Sequence, residues 1–150
     1  MPRIELDLAV DAPVSRVYAV ARDVEAFPEF MDDLEALRVL ERSDDGNRTL
    51  TEWVAVIREF KMTVRWTQED IWDPVSGRDE FRLIKGDMDS MSGYWQFTAV
   101  DGGTRFDSLV DYEYNVPLIG TMIKALIRKK MEANLRAQMQ AIKERAERGG

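Results

Sequence analysis

The chain has 150 residues, a formal net charge of −7, and neither histidine nor cysteine. A chain of this length buries about 70% of its unfolded surface, which predicts one domain over residues 1–150. The composition excludes thiol and disulfide chemistry, histidine-based catalytic triads, and zinc or haem sites built on either residue. The excess of 28 acidic over 21 basic residues disfavours a nucleic-acid partner, because phosphate binding needs clustered positive charge.

The sequence also lacks the pattern of a membrane-spanning or secreted chain. No apolar run approaches the roughly 18 residues that cross a bilayer. The N-terminal ten residues include acidic side chains where a secretion signal would be apolar. We therefore expect a cytoplasmic protein.

The N-terminal part of the chain predicts one strand followed by two short helices. Residues 3–10 alternate apolar and polar side chains, as a half-buried strand does. Pro13 is typical of a helix start, and apolar residues follow it at helical spacing. A second short helix is expected at residues 24–31, with Asp23 as its N-cap.

From Leu34 onward the apolar period changes to two, which predicts six consecutive strands. Turn sequences at residues 44–47, 73–77 and 101–103 connect strands as tight hairpins, so neighbouring strands should run antiparallel. On the later strands, one alternating set should face inward. That set is Met62, Val64, Trp66, Gln68, Asp70, Trp72, Phe81, Leu83, Met91, Gly93, Trp95, Phe97, Phe106, Ser108, Val110, Tyr112 and Tyr114.

After Pro117 the apolar period returns to that of a helix. About 30 residues would give a helix of roughly 45 Å, which must bury one side against the sheet. The fold class is therefore α+β: a curved antiparallel sheet of about seven strands around a long C-terminal helix, with two short helices after the first strand. The apolar stripe of the last helix is Ile119, Ile123, Leu126, Ile127, Met131, Leu135, Met139, Ile142 and Ala146.

Several short motifs, spread over most of the chain, resemble a known superfamily. They are Ala12-Pro13 with Val17-Tyr18, the segment 23–30, Trp66 after a basic strand, Gly93-Tyr94-Trp95, residues 102–105, and Pro117 before the last helix. This pattern resembles the helix-grip fold of the START and Bet v 1-like superfamily, in its polyketide cyclase and coenzyme Q-binding branch. The resemblance implies an apolar cavity between the sheet and the long helix, with the short helices at one end.

Aromatic and apolar residues on the inward faces are candidates for lining such a cavity, since pockets of this composition suit small apolar ligands. For each aromatic residue the alternative is core packing with no void. The candidate residues are Phe27, Phe30, Met31, Trp53, Val64, Trp66, Gln68, Asp70, Phe81, Met91, Trp95, Phe97, Ser108, Tyr112, Tyr114, Ile119, Ile123 and Ile127.

Three of these candidates are polar: Gln68, Asp70 and Ser108. A buried carboxylate is costly, so Asp70 must pair with a basic residue, reach solvent at the cavity mouth, or hold its proton with a raised pKa. Ser108 has no histidine to activate it and is expected to make room for the helix or a ligand.

The resemblance implies a catalytic arginine and tyrosine in the aromatase and cyclase branch, but the matching positions here hold Asp70 and Leu34. The sequence also has no glycine-rich phosphate loop, and its adjacent carboxylates should point in different directions. We therefore expect no catalytic residues, no metal and no cofactor.

The sequence favours a protein that binds, carries or sequesters a small hydrophobic ligand, such as a lipid, an isoprenoid quinone or a polyketide-like molecule. One alternative is a polyketide aromatase or cyclase. Another is a regulatory protein that contacts a membrane or ribosome through Lys124, Arg128, Lys129 and Lys130. This alternative rests on charge: residues 121–150 hold eight basic and three acidic residues, whereas residues 1–120 hold 13 and 25.

Overall fold

Alternating apolar residues build one curved sheet of seven antiparallel strands, and a computed structural model describes residues 3–115 and 120–149. Six of the strands follow one another through short turns, as the hairpin sequences predict. The strands are β1 (Arg3–Val10), β2 (Leu34–Arg42), β3 (Arg48–Ile57), β4 (Met62–Asp73), β5 (Arg78–Gly86), β6 (Ser90–Val100) and β7 (Gly103–Glu113).

The helices occupy the expected places in the chain. They are α1 (Val14–Arg22), α2 (Phe27–Phe30) and α3 (Thr121–Glu147), with 3-10 turns at Val24–Ala26 and Arg58–Phe60. The short helix predicted at residues 24–31 is thus a 3-10 turn that continues into α2, and the side chain of Asp23 makes no capping hydrogen bond. The predicted α+β helix-grip architecture is confirmed. No helix in the described part of the chain has a stretch long and apolar enough to cross a membrane.

The first strand forms one edge of the sheet, and β2 forms the opposite edge. The strand order is β1-β7-β6-β5-β4-β3-β2, so β1 pairs with the last strand, where Ile4 lies opposite Val110. Register shifts interrupt the pairing of β2 with β3 and of β4 with β5, the latter between Thr67 and Gln68. Such irregularities bend strands and let the sheet curl towards the helix.

The core lies between the concave face of the sheet and the helices. Its most deeply buried side chains include Val17 from α1, Phe106 from β7, and Met139 and Ile142 from α3. A second, smaller cluster joins Ile57, Val64, Met88 and Ile127. The two clusters share several partly buried neighbours, including Trp66, Met91 and Met131.

The long helix is buried mainly in its C-terminal half. Met139, Ile142 and Ala146 are buried there, whereas Ile127 is the one residue buried between Thr121 and Lys130. The apolar stripe predicted along the whole helix therefore covers the sheet over only part of its length, and Ile123 is exposed. Ile119 and Pro117 lie outside the described residues.

Candidate functional site

An apolar cavity lies between the concave face of the sheet and α3. The volume open to the centres of water molecules is about 100 Å³, so the cavity has room for several waters or a small ring system. Strands β3 to β7 supply most of its wall, and α3 closes it. The lining residues are Val24, Trp53, Ala55, Ile57, Val64, Trp66, Gln68, Asp70, Trp72, Asp79, Phe81, Met88, Met91, Trp95, Val110, Tyr112, Met131, Asn134, Leu135 and Gln138.

All four tryptophans of the chain line this cavity. Trp53 and Trp66 lie opposite each other on β3 and β4 and stack with ring centroids 5.5 Å apart. Phe27 from α2 packs edge-on against Trp53 at 6.0 Å, and Phe81 packs edge-on against Trp95 at 6.4 Å. The aromatic rings thus support one another and give the cavity a stiff apolar wall.

A chain of hydrogen bonds runs along β4 into one corner of the cavity. The indole Nε1 of Trp66 donates to Gln68 Oε1 at 2.7 Å, and Gln68 Nε2 donates to Asp70 Oδ1 at 2.8 Å. These residues share the inner face because side chains two positions apart on a strand point the same way. These two hydrogen bonds give the polar atoms of Trp66 and Gln68 a partner and orient both side chains towards Asp70.

The chain ends at a pair of aspartates, Asp70 on β4 and Asp79 on β5, which we call the carboxyl pair. Both line the cavity and are buried, with exposed fractions of 4% and 1%. Their carboxyl groups are close enough to share a hydrogen bond. Within the described residues, Asp79 Oδ1 has no conventional hydrogen-bond donor. Two carboxyl oxygens can bond only if one carries a proton.

The surroundings of the carboxyl pair favour a shared proton. Burial is the main cause that raises the pKa of Asp70, and it holds the pKa of Asp79 well above its ordinary value. The negative charge of Asp70 raises the pKa of Asp79 further. Gln68 donates to Asp70 and so favours its ionised form, which makes Asp79 the protonated partner.

The sequence left three alternatives open for Asp70, and the structure matches the third only in part: the pKa of Asp70 is raised by burial, but Asp79 rather than Asp70 holds the proton. Asp70 retains a raised pKa, but its partner is another carboxyl group rather than a lysine or arginine. The neighbouring Glu69 points to the opposite face, where Arg48 and Arg82 donate to it at 2.6 and 2.9 Å. Those hydrogen bonds lower the pKa of Glu69.

Half of the predicted ligand-site residues line the cavity. They are Trp53, Val64, Trp66, Gln68, Asp70, Phe81, Met91, Trp95 and Tyr112. Their role in binding remains a proposal.

The other candidate residues lie elsewhere. Phe27, Met31 and Phe97 are buried in the main core, with Phe30 and Tyr114 packed against it. Ile127 belongs to the smaller cluster. Ser108 is a buried inward residue of β7 that lies outside the cavity lining, and Ile123 is exposed. Ile119 is not among the described residues. Strand and helix periods assign a face, but they do not show which part of that face borders a void.

Several lining residues were not predicted, above all Asp79. A signal was present, because Asp79 precedes Phe81 by two positions and so shares its inward face. Trp72, which was predicted to face inward, lies next to the end of β4, is buried and lines the cavity. Asn134 and Gln138 come from α3, where their polar character hid their inward position.

The cationic residues of the interaction alternative lie on the exposed part of α3. Lys124, Arg128 and Lys129 are exposed, whereas Lys130 pairs with Glu59 at 2.7 Å. Met122 is 77% exposed on the same turns. Across the described residues, the structure contains no acidic cluster arranged to hold a metal ion.

The sequence of the chain is similar to that of a known polyketide synthase component. It is 27% identical over 148 residues to the actinorhodin polyketide synthase bifunctional cyclase/dehydratase of Streptomyces coelicolor. That alignment covers 97% of this chain but 44% of the relative, so the chain spans less than half of the relative's length.

Solved structures share the fold over nearly the full chain. TTHA0849 from Thermus thermophilus is 32% identical with a TM-score of 0.89, and a START superfamily protein from Mycobacterium smegmatis is 18% identical with a TM-score of 0.80. Each comparison covers 97% of both chains. The second likeness confirms the START-type fold.

A family model described as polyketide cyclase/dehydrase and lipid transport matches residues 10–139, which include every strand from β2 to β7 and most of α3. The chain belongs to this polyketide cyclase/dehydrase and lipid transport family.

Proposed function

We propose that the protein binds and carries a small hydrophobic molecule in the cavity between the sheet and α3. The observation that carries this proposal is the apolar space between the sheet and α3, which is walled by four tryptophans and by phenylalanine and methionine side chains. A lipid, an isoprenoid quinone and a polyketide-like molecule all have the apolar body that such a wall binds. A cytoplasmic location is part of the same proposal.

Burial of apolar surface supplies the affinity. About 300 Å² of ligand surface removed from water contributes roughly 7 to 8 kcal/mol before the costs of association, at about 25 cal/mol per Å². This is sufficient for micromolar retention. A ring-sized ligand fits the space as it stands, whereas a long chain needs α3 or α2 to move outward.

A blocked cavity tests the proposal. Ala55 lines the cavity on β3, and the adjacent Val54 faces the opposite side of the strand. We expect Ala55→Phe to weaken binding of the neutral dye N-phenyl-1-naphthylamine by about tenfold or more, because the new ring occupies the space of the ligand. The added ring should also lower the stability of the protein by about 1–3 kcal/mol. The dye's fluorescence rises in an apolar site and reports its binding.

Val54→Phe is the matched control, because it adds the same side chain to the other face of the same strand. It should leave dye binding unchanged, and circular dichroism should show both variants folded. Dye binding that survives Ala55→Phe unaltered would place the dye elsewhere and contradict the proposal.

Ligand loading from a membrane is the finer part of this function. The exposed turns of α3 carry Met122 and Leu126 beside Lys124, Arg128 and Lys129, which is a suitable surface for anionic lipid headgroups. Binding there would bring the cavity close to a source of hydrophobic ligand.

Vesicle sedimentation tests this contact. Vesicles containing phosphatidylglycerol should retain the protein at low salt, and Lys124→Glu should reduce the bound fraction more than Arg148→Glu at the other end of α3. No binding to such vesicles at low salt would exclude the membrane contact, with the cavity proposal unaffected.

An enzyme of the cyclase or dehydrase type is the second candidate. It is supported by the carboxyl pair, since two buried aspartates that share a proton can supply general acid and base catalysis. The chemistry would differ from the arginine and tyrosine arrangement that the resemblance implies, because Asp70 and Leu34 occupy those positions. Turnover of a poly-β-ketone that is lost in Asp79→Asn, with dye binding retained, would favour the enzyme.

A further inference from the structure

The polar groups that line the cavity are unbalanced in charge. Asp70 and Asp79 both line it, and no lysine or arginine is among the lining residues that the structure describes. The other polar side chains there are neutral: the amides of Gln68, Asn134 and Gln138 and the hydroxyl of Tyr112. A ligand in this cavity therefore meets negative charge without a compensating cation.

Two donors beside the carboxyl pair are already engaged. Trp66 Nε1 donates to Gln68, and Gln68 Nε2 donates to Asp70. The raised pKa values of Asp70 and Asp79 favour one proton shared between the two carboxyl groups, which leaves one negative charge on the pair. Within the described residues, Asp79 Oδ1 has no other partner although the side chain is 1% exposed. The corner thus offers acceptors rather than donors to a ligand.

Charged groups on the surrounding elements leave this imbalance in place. Arg22 of α1 lowers the pKa of Asp79, and the charge of Asp79 raises the pKa of Tyr18 on the same helix, yet neither Arg22 nor Tyr18 lines the cavity. Glu69 and Glu80 add negative charge from the outer face of the sheet. Glu69 is itself neutralised by Arg48 and Arg82.

We propose that the cavity selects a hydrophobic molecule that carries a hydrogen-bond donor and no negative charge, such as an alcohol, a phenol or an amine, and that the donor binds the carboxyl pair. This inference rests on the proposed ligand-binding function and narrows its substrate class. Fatty acids and other anionic amphiphiles are excluded from this corner.

The physical reason is the cost of buried like charges. A carboxylate ligand placed beside the carboxyl pair would lose its hydration and face a second negative charge without a cation. A hydroxyl or ammonium group instead donates to a charged acceptor in a dry site, where such a hydrogen bond is strong.

Naphthalene and three of its derivatives test the selection, with binding to the full chain measured by calorimetry at pH 7. The probes are naphthalene, 2-naphthol, 2-naphthylmethylamine and 2-naphthoate. We expect 2-naphthol and the amine to bind more tightly than naphthalene, and 2-naphthoate to bind at least about tenfold more weakly than 2-naphthol, because one uncompensated buried charge costs more than a hydrogen bond returns. The alcohol and amine arms distinguish the two donor classes.

A double variant checks that the carboxyl pair causes the selection. Asp70→Asn with Asp79→Asn removes the buried charge and should narrow the difference in affinity between 2-naphthoate and 2-naphthol by about threefold or more, since the repulsion is gone while the desolvation cost of the ligand carboxylate stays. Asp44→Asn with Asp101→Asn removes two exposed charges and should keep the wild-type preference. If the buried variant fails to fold, the four wild-type affinities still decide the question.

The outcomes separate this inference from the proposed function. Absence of binding by naphthalene and every derivative would contradict the ligand-binding function itself. Binding of naphthalene with equal affinities for 2-naphthol and 2-naphthoate would overturn the selection alone. An unchanged preference in the buried double variant would show that the carboxyl pair is not its cause.

Discussion

Among single residues, Asp70 and Asp79 are costly in free energy, because two carboxyl groups share one buried corner of the cavity. A carboxyl group whose pKa is higher in the folded than in the unfolded state holds its proton more tightly when folded. The folded protein therefore loses stability as the pH rises above the unfolded value of 3.8 and through the raised pKa of Asp79. Below that window the group is protonated in both states and contributes no pH dependence.

Replacement of Asp79 by asparagine removes this titration and keeps a donor next to Asp70. We predict that Asp79→Asn raises the free energy of unfolding at pH 9 by about 1–3 kcal/mol, the usual cost of a buried polar group in the wrong state. The gain should shrink at pH 5, because the raised pKa keeps more of the wild-type Asp79 protonated at lower pH. Urea unfolding at the two pH values measures both quantities.

Asp101→Asn is the control for this prediction, because Asp101 is an exposed turn residue. It should change the free energy of unfolding equally at both pH values. A gain from Asp79→Asn that is the same at pH 5 and pH 9 would show that Asp79 does not titrate in this range.

Among the strands, Gly93 on β6 determines how closely β6 approaches β7 and the Phe81 side chain of β5. A Cβ atom at this position of β6 would overlap the carbonyl oxygen of Leu109 on β7 and press on the ring of Phe81 at 3.0 Å. Phe81 lies opposite Gly93 in the register and lines the cavity. The glycine thus gives the aromatic wall the space that it needs.

We predict that Gly93→Ala lowers the free energy of unfolding by about 1–3 kcal/mol, since neither backbone oxygen nor packed ring can move freely. Gly120→Ala is the matched control, because a Cβ atom there has no heavy atom within 4 Å. Thermal unfolding compares the two. Equal and small effects would contradict the close approach at Gly93.

The C-terminal half of α3 packs in the core, whereas its middle lines the cavity. Two methionines on this helix allow the two roles to be compared. Met139 is 1% exposed in the core, whereas the partly buried Met131 lines the cavity. We predict that Met139→Ala lowers the free energy of unfolding by about 2–5 kcal/mol and that Met131→Ala costs less, because it enlarges an existing space. Denaturant unfolding of both variants measures the difference, and a larger loss for Met131→Ala would reverse our assignment of the two roles.

The sequence predicts the elements of this fold well because each has a strong apolar period. The alternation in β4 to β7 and the stripe on α3 place Trp66, Trp95 and Met139 on inner faces, as the structure has them. The position of β1 beside β7 needed the structure, since no hairpin joins them. The exposure of Ile123 also needed it, because helical period alone does not show where the sheet beneath the helix ends.

The candidate site was less predictable than the fold. Phe27 and Phe97 were as suitable by pattern as Trp53, yet they fill the core while Trp53 borders the void. The sequence does not single out Asp79, because an aspartate between Arg78 and Glu80 directly after a turn resembles a solvated residue. Its burial depends on pairing with Asp70 across two strands, a contact that local sequence does not show.

At the scale of the whole molecule, the curved sheet and α3 enclose a space that the side chains leave unfilled. The sheet edge is held by β1 against β7, and the C-terminal half of α3 is fixed by the core. The cavity therefore lies between a firmly packed end and the exposed first turns of α3. Under the proposed function, we expect a ligand to enter past these turns without unfolding of the core.

The central claim is that this cavity accepts an apolar ligand, and the four tryptophans offer the most direct measurement. All of them line the cavity, so the indole N–H signals of a ¹⁵N-labelled sample report its occupancy by NMR. On titration with naphthalene we predict saturable shifts of the signals of Trp53, Trp66, Trp72 and Trp95, and loss of these shifts in Ala55→Phe. Indole signals that stay in place up to the solubility limit of naphthalene would contradict the account.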